Sequence, residues 1–141
     1  MDKLQLICEI GEIRIRLEQA FGPETAMRNS SGAGPSAGHC AVVAAIVFQR
    51  FGGKLVSSII NGESHWFNRL NSDQGWLDVD LTADQFGGDS VLVRPLGTLY
   101  NDSKDRSPDD LNLETLRRAQ VLADKANIDF DCSLLRTARS G

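Results

Sequence analysis

Apolar residues recur at helical spacing near the start of the chain. They occupy one face of a helix at Leu6, Ile10, Ile13, Leu17 and Ala20. Gly22 and Pro23 then end the pattern, so we predict an amphipathic helix over residues 4–21. The alternative is a strand over residues 10–17, because several positions there are β-branched and Gly11 weakens a helix.

A second apolar stretch has no polar face. Residues 41–51 are apolar almost all round and precede Gly52 and Gly53, which predicts a buried helix that ends at a glycine. The stretch before it, residues 29–38, is small and polar and predicts a loop. Cys40 is therefore expected in the first turn of the buried helix.

Three β-like runs follow the buried helix. Turn residues separate them, and together they predict an antiparallel meander over residues 54–60, 63–70 and 76–81. A fourth strand is predicted over residues 90–94.

The last third of the chain predicts a loop and a helix. Residues 101–110 are polar, and Ser107 and Pro108 suit the cap and the first position of a helix. We predict that this helix runs to about Lys125. Residues 127–141 have no clear period and are expected to form a partly loose tail.

Composition and charge narrow the classes of function. The 141 residues can bury a sizeable core, and we expect residues 1–141 to form one α+β domain. The 15 Lys and Arg against 19 Asp and Glu give a formal net charge of −4, and the cations form no run, so no nucleic-acid partner is expected. The longest apolar run falls far short of the ~20 residues of a membrane span. With no secretory pattern at Met1, we expect no membrane association and a cytoplasmic location.

The three cysteines, Cys8, Cys40 and Cys132, lie far apart. This spacing predicts neither a metal site nor a disulfide framework, and no cofactor is expected. Cys40 alone has the position of a nucleophile, because the free N–H groups and positive dipole end of a helix start favour a thiolate. Its own backbone N–H can point at a developing oxyanion, and Gly38 lets the backbone approach a substrate carbonyl. For an isolated cysteine the alternative is a packing role in the core.

His65 and Asp80, on the predicted meander, supply the other groups that a thiol enzyme needs. These are a base beside the nucleophile and a group that orients the base. If residues 71–74 form a four-residue loop, Leu70 pairs with Gly75, and His65 lies directly opposite Asp80 on one face of the sheet. The alternative is that both are ordinary structural groups of a sheet.

Three further residues are candidates for substrate contact. Phe67 and Trp76 share the His65 face in this register and can form an apolar wall of a cleft, although strand aromatics more often pack in a core. His39 directly precedes Cys40.

Four segments together carry a family resemblance. They read GHCAV at residues 38–42, FGG at 51–53, SHWFNRL at 64–70 and DLTADQF at 80–86. They resemble the YunG-like family of small bacterial proteins, which is itself similar to the papain and transglutaminase superfamily. Trp76, four residues before Asp80, is similar to the transglutaminase-core block.

The resemblance implies a papain/transglutaminase-like core, in which a nucleophile helix packs on an antiparallel β-meander between N- and C-terminal helices. It further implies that Cys40 is the nucleophile, His65 the general base and acid, and Asp80 the orienting group. The hypothesis is then a thiol enzyme that acts on an amide or acyl bond of a protein or peptide by hydrolysis, deamidation or acyl transfer.

Two other functions compete with this hypothesis. One is a non-catalytic peptide- or protein-binding module on the same scaffold. The other is a zinc site built from His39, Cys40, His65 and Asp80, which is disfavoured because adjacent residues at a helix start point apart.

Overall fold

The computed structural model describes residues 1–27 and 34–135, which form three α-helices and five strands. In chain order these are α1 (Lys3–Ala20), α2 (Cys40–Phe51), β1 (Lys54–Ile60), β2 (Glu63–Ser72), β3 (Gly75–Asp80), β4 (Leu92–Pro95), β5 (Lys104–Arg106) and α3 (Leu113–Lys125). The predicted α+β class, opening helix and buried helix are confirmed, whereas residues 29–33 of the predicted loop lie outside the described residues. Within the described ranges, no helix has the length and apolarity needed to cross a membrane.

The five strands form one antiparallel sheet in the order β4-β3-β2-β1-β5. The predicted meander is confirmed as β1 to β3, and the predicted fourth strand as β4. The prediction of a loop over residues 101–110 is wrong at β5, which pairs with Leu55–Ser57 of β1. Its three residues are all charged, so the sequence has no alternation of apolar and polar residues that would indicate a strand. This edge strand is held by backbone hydrogen bonds instead.

Helix α2 packs on one face of the sheet. Its residues from Val42 to Val47 are buried, and Leu55, Leu70 and Val79 of the sheet belong to the same core. A polar contact joins the two layers, since the buried amide of Asn68 donates a hydrogen bond of 3.0 Å to the Ala44 carbonyl oxygen. Helix α3 packs against α2 and also contacts α1.

The turn between β2 and β3 is shorter than predicted. Ser72 pairs with Gly75, so the loop has two residues rather than four. The Ser72 hydroxyl closes the turn, because it accepts from the Gln74 N–H at 3.1 Å and donates to the Gly75 carbonyl oxygen at 2.9 Å. Gly75 itself has a φ of 99°, which favours glycine.

The predicted register is therefore wrong by two residues. Arg69 lies opposite Asp78, and these side chains form an ion pair of 2.7 Å. His65 is diagonal to Asp80 instead of directly opposite. Because side chains alternate with a period of two, a shift of two residues keeps both on the same face.

The start of α3 also differs from the prediction. Ser107 and Pro108 do begin a helix, but it is a 3₁₀ helix that ends at Asp110. The α-helix begins at Leu113, and the Asn112 side chain caps it by accepting from the Thr115 N–H at 2.8 Å. The predicted end at Lys125 is confirmed.

The segment after α3 packs onto the core as far as the structure describes it. Phe130 and Leu135 are buried in the core cluster, and Cys132–Leu135 forms a 3₁₀ helix. Residues 136–141 of the predicted tail lie outside the described residues.

Candidate active site

Cys40 occupies the first position of α2, with His39 as the N-cap residue. The N–H groups of a first helical turn have no carbonyl partner within the helix, so they and the positive end of the dipole favour negative charge there. Cys40 is partly exposed. Its thiol is thus available to a substrate while its backbone belongs to a buried helix.

Gly38 sets the path of the chain toward Cys40. Its φ is 79°, and its carbonyl oxygen accepts a hydrogen bond of 2.9 Å from the Met27 N–H. A Cβ at this position would lie 3.0 Å from the backbone N and O of Met27. Only glycine fits this approach without displacing the neighbouring segment.

The imidazole of His39 is used to fix the loop that precedes Cys40. Its Nδ1 lies 2.9 Å from the Ala37 carbonyl oxygen, and its Nε2 lies 2.7 Å from the Thr25 hydroxyl oxygen. The ring also packs on Phe21, with 4.2 Å between the ring centroids. Burial lowers the pKa of His39, which favours the neutral ring.

His65 and Asp80 form a buried hydrogen-bonded pair. The Nε2 atom lies 2.6 Å from Asp80 Oδ2, and the two residues are only 2% and 1% exposed. Nδ1 is the ring nitrogen that Asp80 leaves free for Cys40. Burial lowers the pKa of His65, but the interactions with Asp80 and with the Cys40 thiol outweigh it and raise the pKa to about 9. The ring is therefore positively charged at neutral pH.

The end of β3 explains how a side chain of α2 reaches His65. Asn68 faces α2, so His65, three residues earlier on the same strand, points to the opposite face of the sheet. The paired residues of β3 and β2 begin at Val79 and Asn68. At His65 the described sheet therefore has a neighbouring strand on the β1 side only, so the contact between Cys40 and His65 is not blocked by a paired strand on the β3 side.

Asp80 accepts hydrogen bonds on both carboxylate oxygens. Oδ1 accepts from the N–H and the hydroxyl of Thr82, at 2.8 and 3.1 Å. Oδ2 accepts from His65 and from the Tyr100 hydroxyl, the latter at 2.5 Å. Burial and the negative charge of Asp80 raise the pKa of Tyr100, so the phenol stays protonated and remains a donor.

Aromatic rings enclose the imidazole. Phe86 and Tyr100 meet His65 edge to face, with centroid distances of 4.7 and 5.4 Å. Phe67 packs under Tyr100 at 5.2 Å and is 1% exposed. These contacts restrict the ring of His65 to one orientation, and they place Phe67 behind the site.

A cavity of about 350 Å³ opens beside Cys40. It lies between the start of α2, the start of β2 and the start of α3, and its wall includes Ala41, Trp66, Leu111 and Arg118.

A scan against protein-family models matches residues 9–126 to the family described as YunG protein. The chain belongs to the YunG family. The matched range contains Cys40, His65 and Asp80. Comparison with curated proteins finds no match, and comparison with solved structures finds none either.

The three predicted substrate contacts of this YunG-family chain do not belong to the described lining of the cavity. His39 and Phe67 are buried in the contacts described above. Trp76 pairs with Asn71 near the β2–β3 turn, and the Lys54 ammonium lies 5.7 Å from its ring centroid. Trp66 lines the cavity instead. The alternation of side chains along β2 could have identified Trp66 from the sequence. Trp66 lies on the sheet face opposite His65, and α2 covers that face.

Tyr100 is the site residue that sequence reasoning missed. It follows β4 in a stretch without apolar periodicity, and the family resemblance ended at residue 86. Nothing in the local sequence indicates that this phenol contacts Asp80.

The structure also separates the residues of the zinc hypothesis. His39 uses both ring nitrogens on Thr25 and Ala37, whereas Cys40 and Asp80 meet at His65. Within residues 1–27 and 34–135, no three His, Cys, Asp or Glu side chains are grouped to hold a metal ion.

Proposed function

We propose that this YunG-family protein is a thiol enzyme of the papain/transglutaminase-like type, with a Cys40–His65–Asp80 triad that acts on an amide or acyl bond. The observation that carries the proposal is that His65 interacts with both other groups: its ring lies 2.6 Å from Asp80, and the Cys40 thiol is close enough to help raise its pKa. A nucleophile, a base and an orienting carboxylate stand in the order that such chemistry needs. The core supports the proposed type, because a helix that begins at the cysteine packs on an antiparallel meander that carries the other two groups.

The first half of the reaction forms a thioester. The Cys40 thiolate, attracted by the charged His65 ring, attacks the carbonyl carbon and pushes its electron pair onto the oxygen. The backbone N–H of Cys40 faces this oxyanion at the helix start. His65 then donates its Nδ1 proton to the leaving amine, and the C–N bond breaks.

The second half releases the acyl group. Neutral His65 takes a proton from water as the water oxygen attacks the thioester, and the C–S bond breaks to regenerate Cys40. Water as the acceptor gives hydrolysis, or deamidation when the substrate is a side-chain amide. An amine as the acceptor gives acyl transfer. A protein or peptide is the proposed substrate.

Alkylation with iodoacetamide across pH 5 to 9 tests the triad. At pH 6 a free thiol with a pKa of ~8.5 is under about 1% ionised, so we expect Cys40 to react on the order of a hundredfold faster than the exposed Cys8. Mass spectrometry of the peptides gives both rates in one sample. His65→Ala is expected to reduce the Cys40 rate toward the Cys8 rate and to leave Cys8 unchanged.

Equal reactivity of Cys40 and Cys8 in the wild type would overturn the enzymatic proposal and favour the binding module. If the triad reacts as expected, wild type and Cys40→Ala are compared by intact mass on a cell extract. Proteins that are cleaved, deamidated or cross-linked only by the wild type then identify the reaction.

A further inference from the structure

The cavity beside Cys40 carries an inference about the substrate, which rests on the proposed function. We propose that this cavity is the acyl-side subsite, and that it binds an apolar side chain of leucine or phenylalanine size on the residue whose carbonyl carbon Cys40 attacks.

The position of His65 decides which half of the substrate lies in the cavity. The leaving amine must reach His65, because it takes its proton from that ring. His65 is outside the described lining of the cavity, whereas Cys40, Ala41 and Val42 belong to it. On β2 the cavity is bordered by Ser64 and Trp66, which alternate with His65 along the strand and therefore lie on the opposite face of the sheet. The cavity is thus on the side of the sulfur that faces away from the proton donor. The part of the substrate that remains on the sulfur, the acyl part, is the part that faces it.

The walls of the cavity favour an apolar side chain. Met27, Ala41, Trp66 and Leu111 supply apolar surface. Trp66 is held in place from behind, since the Arg106 guanidinium lies 5.7 Å from its ring centroid. An apolar side chain that enters this space removes apolar surface from water on both partners.

The polar groups that the start of α3 contributes to the wall already have partners. Asn112 accepts from the Thr115 N–H at 2.8 Å, and Arg118 donates to the Thr115 hydroxyl at 3.2 Å. Asp110 accepts from the Ser107 N–H at 2.9 Å. Because these groups already have hydrogen-bond partners at the start of α3, they bind a polar side chain of a substrate less strongly than unpaired groups would.

Charged side chains of both signs line the cavity. Glu63 and Asp110 carry negative charge and Arg118 carries positive charge, all within the same lining. The cavity therefore has no uniform field that would select an acidic or a basic side chain.

The size of the cavity limits what it holds. A volume of about 350 Å³ lies at the lower end of the range for ligand sites, which runs from ~300 to ~1,000 Å³. A side chain of leucine or phenylalanine size fits within this volume.

N-acetyl aminoacyl chloromethyl ketones with glycyl, leucyl, phenylalanyl, glutamyl and lysyl side chains test the inference. Their alkylation of Cys40 forms a C–S bond and releases chloride, so each rate is read as a mass increase on one peptide. We expect the leucyl and phenylalanyl probes to react at least ~10-fold faster than the glycyl probe, which is the discrimination that a fitted apolar pocket provides. The glutamyl and lysyl probes are expected to match the glycyl probe or react more slowly.

Filling the cavity should remove this preference. Ala41→Phe places bulk in the cavity wall, and Ser64→Phe does the same from the exposed opposite wall if the first variant fails to fold. In either variant the ratio of leucyl to glycyl rates is expected to fall toward one. Val121→Phe adds comparable bulk on the exposed side of α3 and is the matched control, in which the ratio should be unchanged.

Iodoacetamide separates failure of this inference from failure of the proposed function. If Cys40 reacts rapidly with iodoacetamide but equally with the glycyl and leucyl probes, the enzyme stands and the subsite is overturned. A preference for the lysyl or glutamyl probe would also overturn it, because charge would then select the side chain. A Cys40 that is unreactive to iodoacetamide overturns the proposed function itself.

Discussion

Asp80 is the residue at which most interactions of the candidate site converge. Thr82 occupies one of its carboxylate oxygens, and His65 and Tyr100 share the other. A carboxylate held by several donors cannot rotate without losing hydrogen bonds, so its orientation is fixed. This fixes the imidazole in turn and leaves its Nδ1 for Cys40.

Replacement of Asp80 by asparagine is expected to make the protein less stable, by an amount that depends on pH. The folded pKa of His65 is raised from 6.5 to about 9, so the charged pair stabilises the fold fully below pH 6.5 and is lost as pH rises through 9. At ~1.4 kcal/mol per pKa unit the whole shift, to which Cys40 also contributes, is on the order of 3 kcal/mol, so the pair with Asp80 accounts for part of it. Urea unfolding at pH 6, 7.5 and 9.5 should therefore show a wild-type advantage over Asp80→Asn that shrinks as pH rises.

Tyr100→Phe is the control for this prediction. It removes one donor from Asp80 but keeps the contact between Asp80 and His65, so the pH dependence should persist. An advantage of the wild type over Asp80→Asn that is constant with pH would contradict the charged pair.

At the scale of elements, the nucleophile depends on how the chain enters α2. In the segment before the helix, Gly38 hydrogen-bonds the Met27 backbone, and the His39 imidazole hydrogen-bonds Thr25 and Ala37. The helix begins directly after these contacts, at Cys40. The helix places the sulfur, but the packing of the loop decides where the helix starts.

Gly38→Ala tests this entry. The new Cβ combines an unfavourable φ of 79° with contacts of 3.0 Å to the Met27 backbone. Gly62→Ala, in the β1–β2 turn, has a similar φ of 80° but meets nothing within 4 Å in the described structure. We expect both to lose stability through strain of ~1 kcal/mol or more, with Gly38→Ala losing ~1–2 kcal/mol more.

Iodoacetamide alkylation then shows whether the difference between Gly38→Ala and Gly62→Ala also changes the reactivity of Cys40. Gly38→Ala should slow the reaction of Cys40, while Gly62→Ala should leave it unchanged. Equal unfolding free energies and equal alkylation rates in the two variants would contradict the role given to the close approach at Gly38.

At the scale of the molecule, a buried arginine joins the parts that carry the triad. Arg14 of α1 donates to the Leu81 carbonyl oxygen at 2.8 Å and to the Asp84 carboxylate at 2.7 Å. The Ser36 hydroxyl donates to the same carboxylate. Arg14 thereby ties α1 both to the segment that follows Asp80 and to the loop that precedes Cys40.

Arg14→Met is expected to lower the free energy of unfolding by ~3–5 kcal/mol, because it leaves the Asp84 carboxylate, which is only 10% exposed, without its cation. Arg16→Met is the matched control, since Arg16 is 48% exposed and its ion pair with Glu12 is 3.5 Å long. Its effect should stay within ~0.5 kcal/mol. Urea unfolding measures both. A similar loss of unfolding free energy in the two variants would show that the ion pair of Arg14 stabilises the fold no more than an exposed pair does.

Most of the elements, and the residues of the proposed triad, could be named from the sequence by itself. Helical spacing around Leu17, the apolar run after Cys40 and the β-like runs of the meander are local properties of the chain. The prediction that His65 and Asp80 share one face of the sheet is correct although the predicted register was wrong. Side chains alternate between the two faces along a strand, so a register error of two residues leaves each side chain on the same face.

Tertiary structure alone decided what surrounds the triad. The bond from Tyr100 to Asp80, the pairing of the charged strand β5 and the cavity between Trp66 and Leu111 all join residues that are distant along the chain. Periodicity describes one element at a time, whereas these contacts depend on how separate elements approach one another. The candidate nucleophile Cys40 could therefore be named from its own segment of the sequence, whereas the cavity beside it could not.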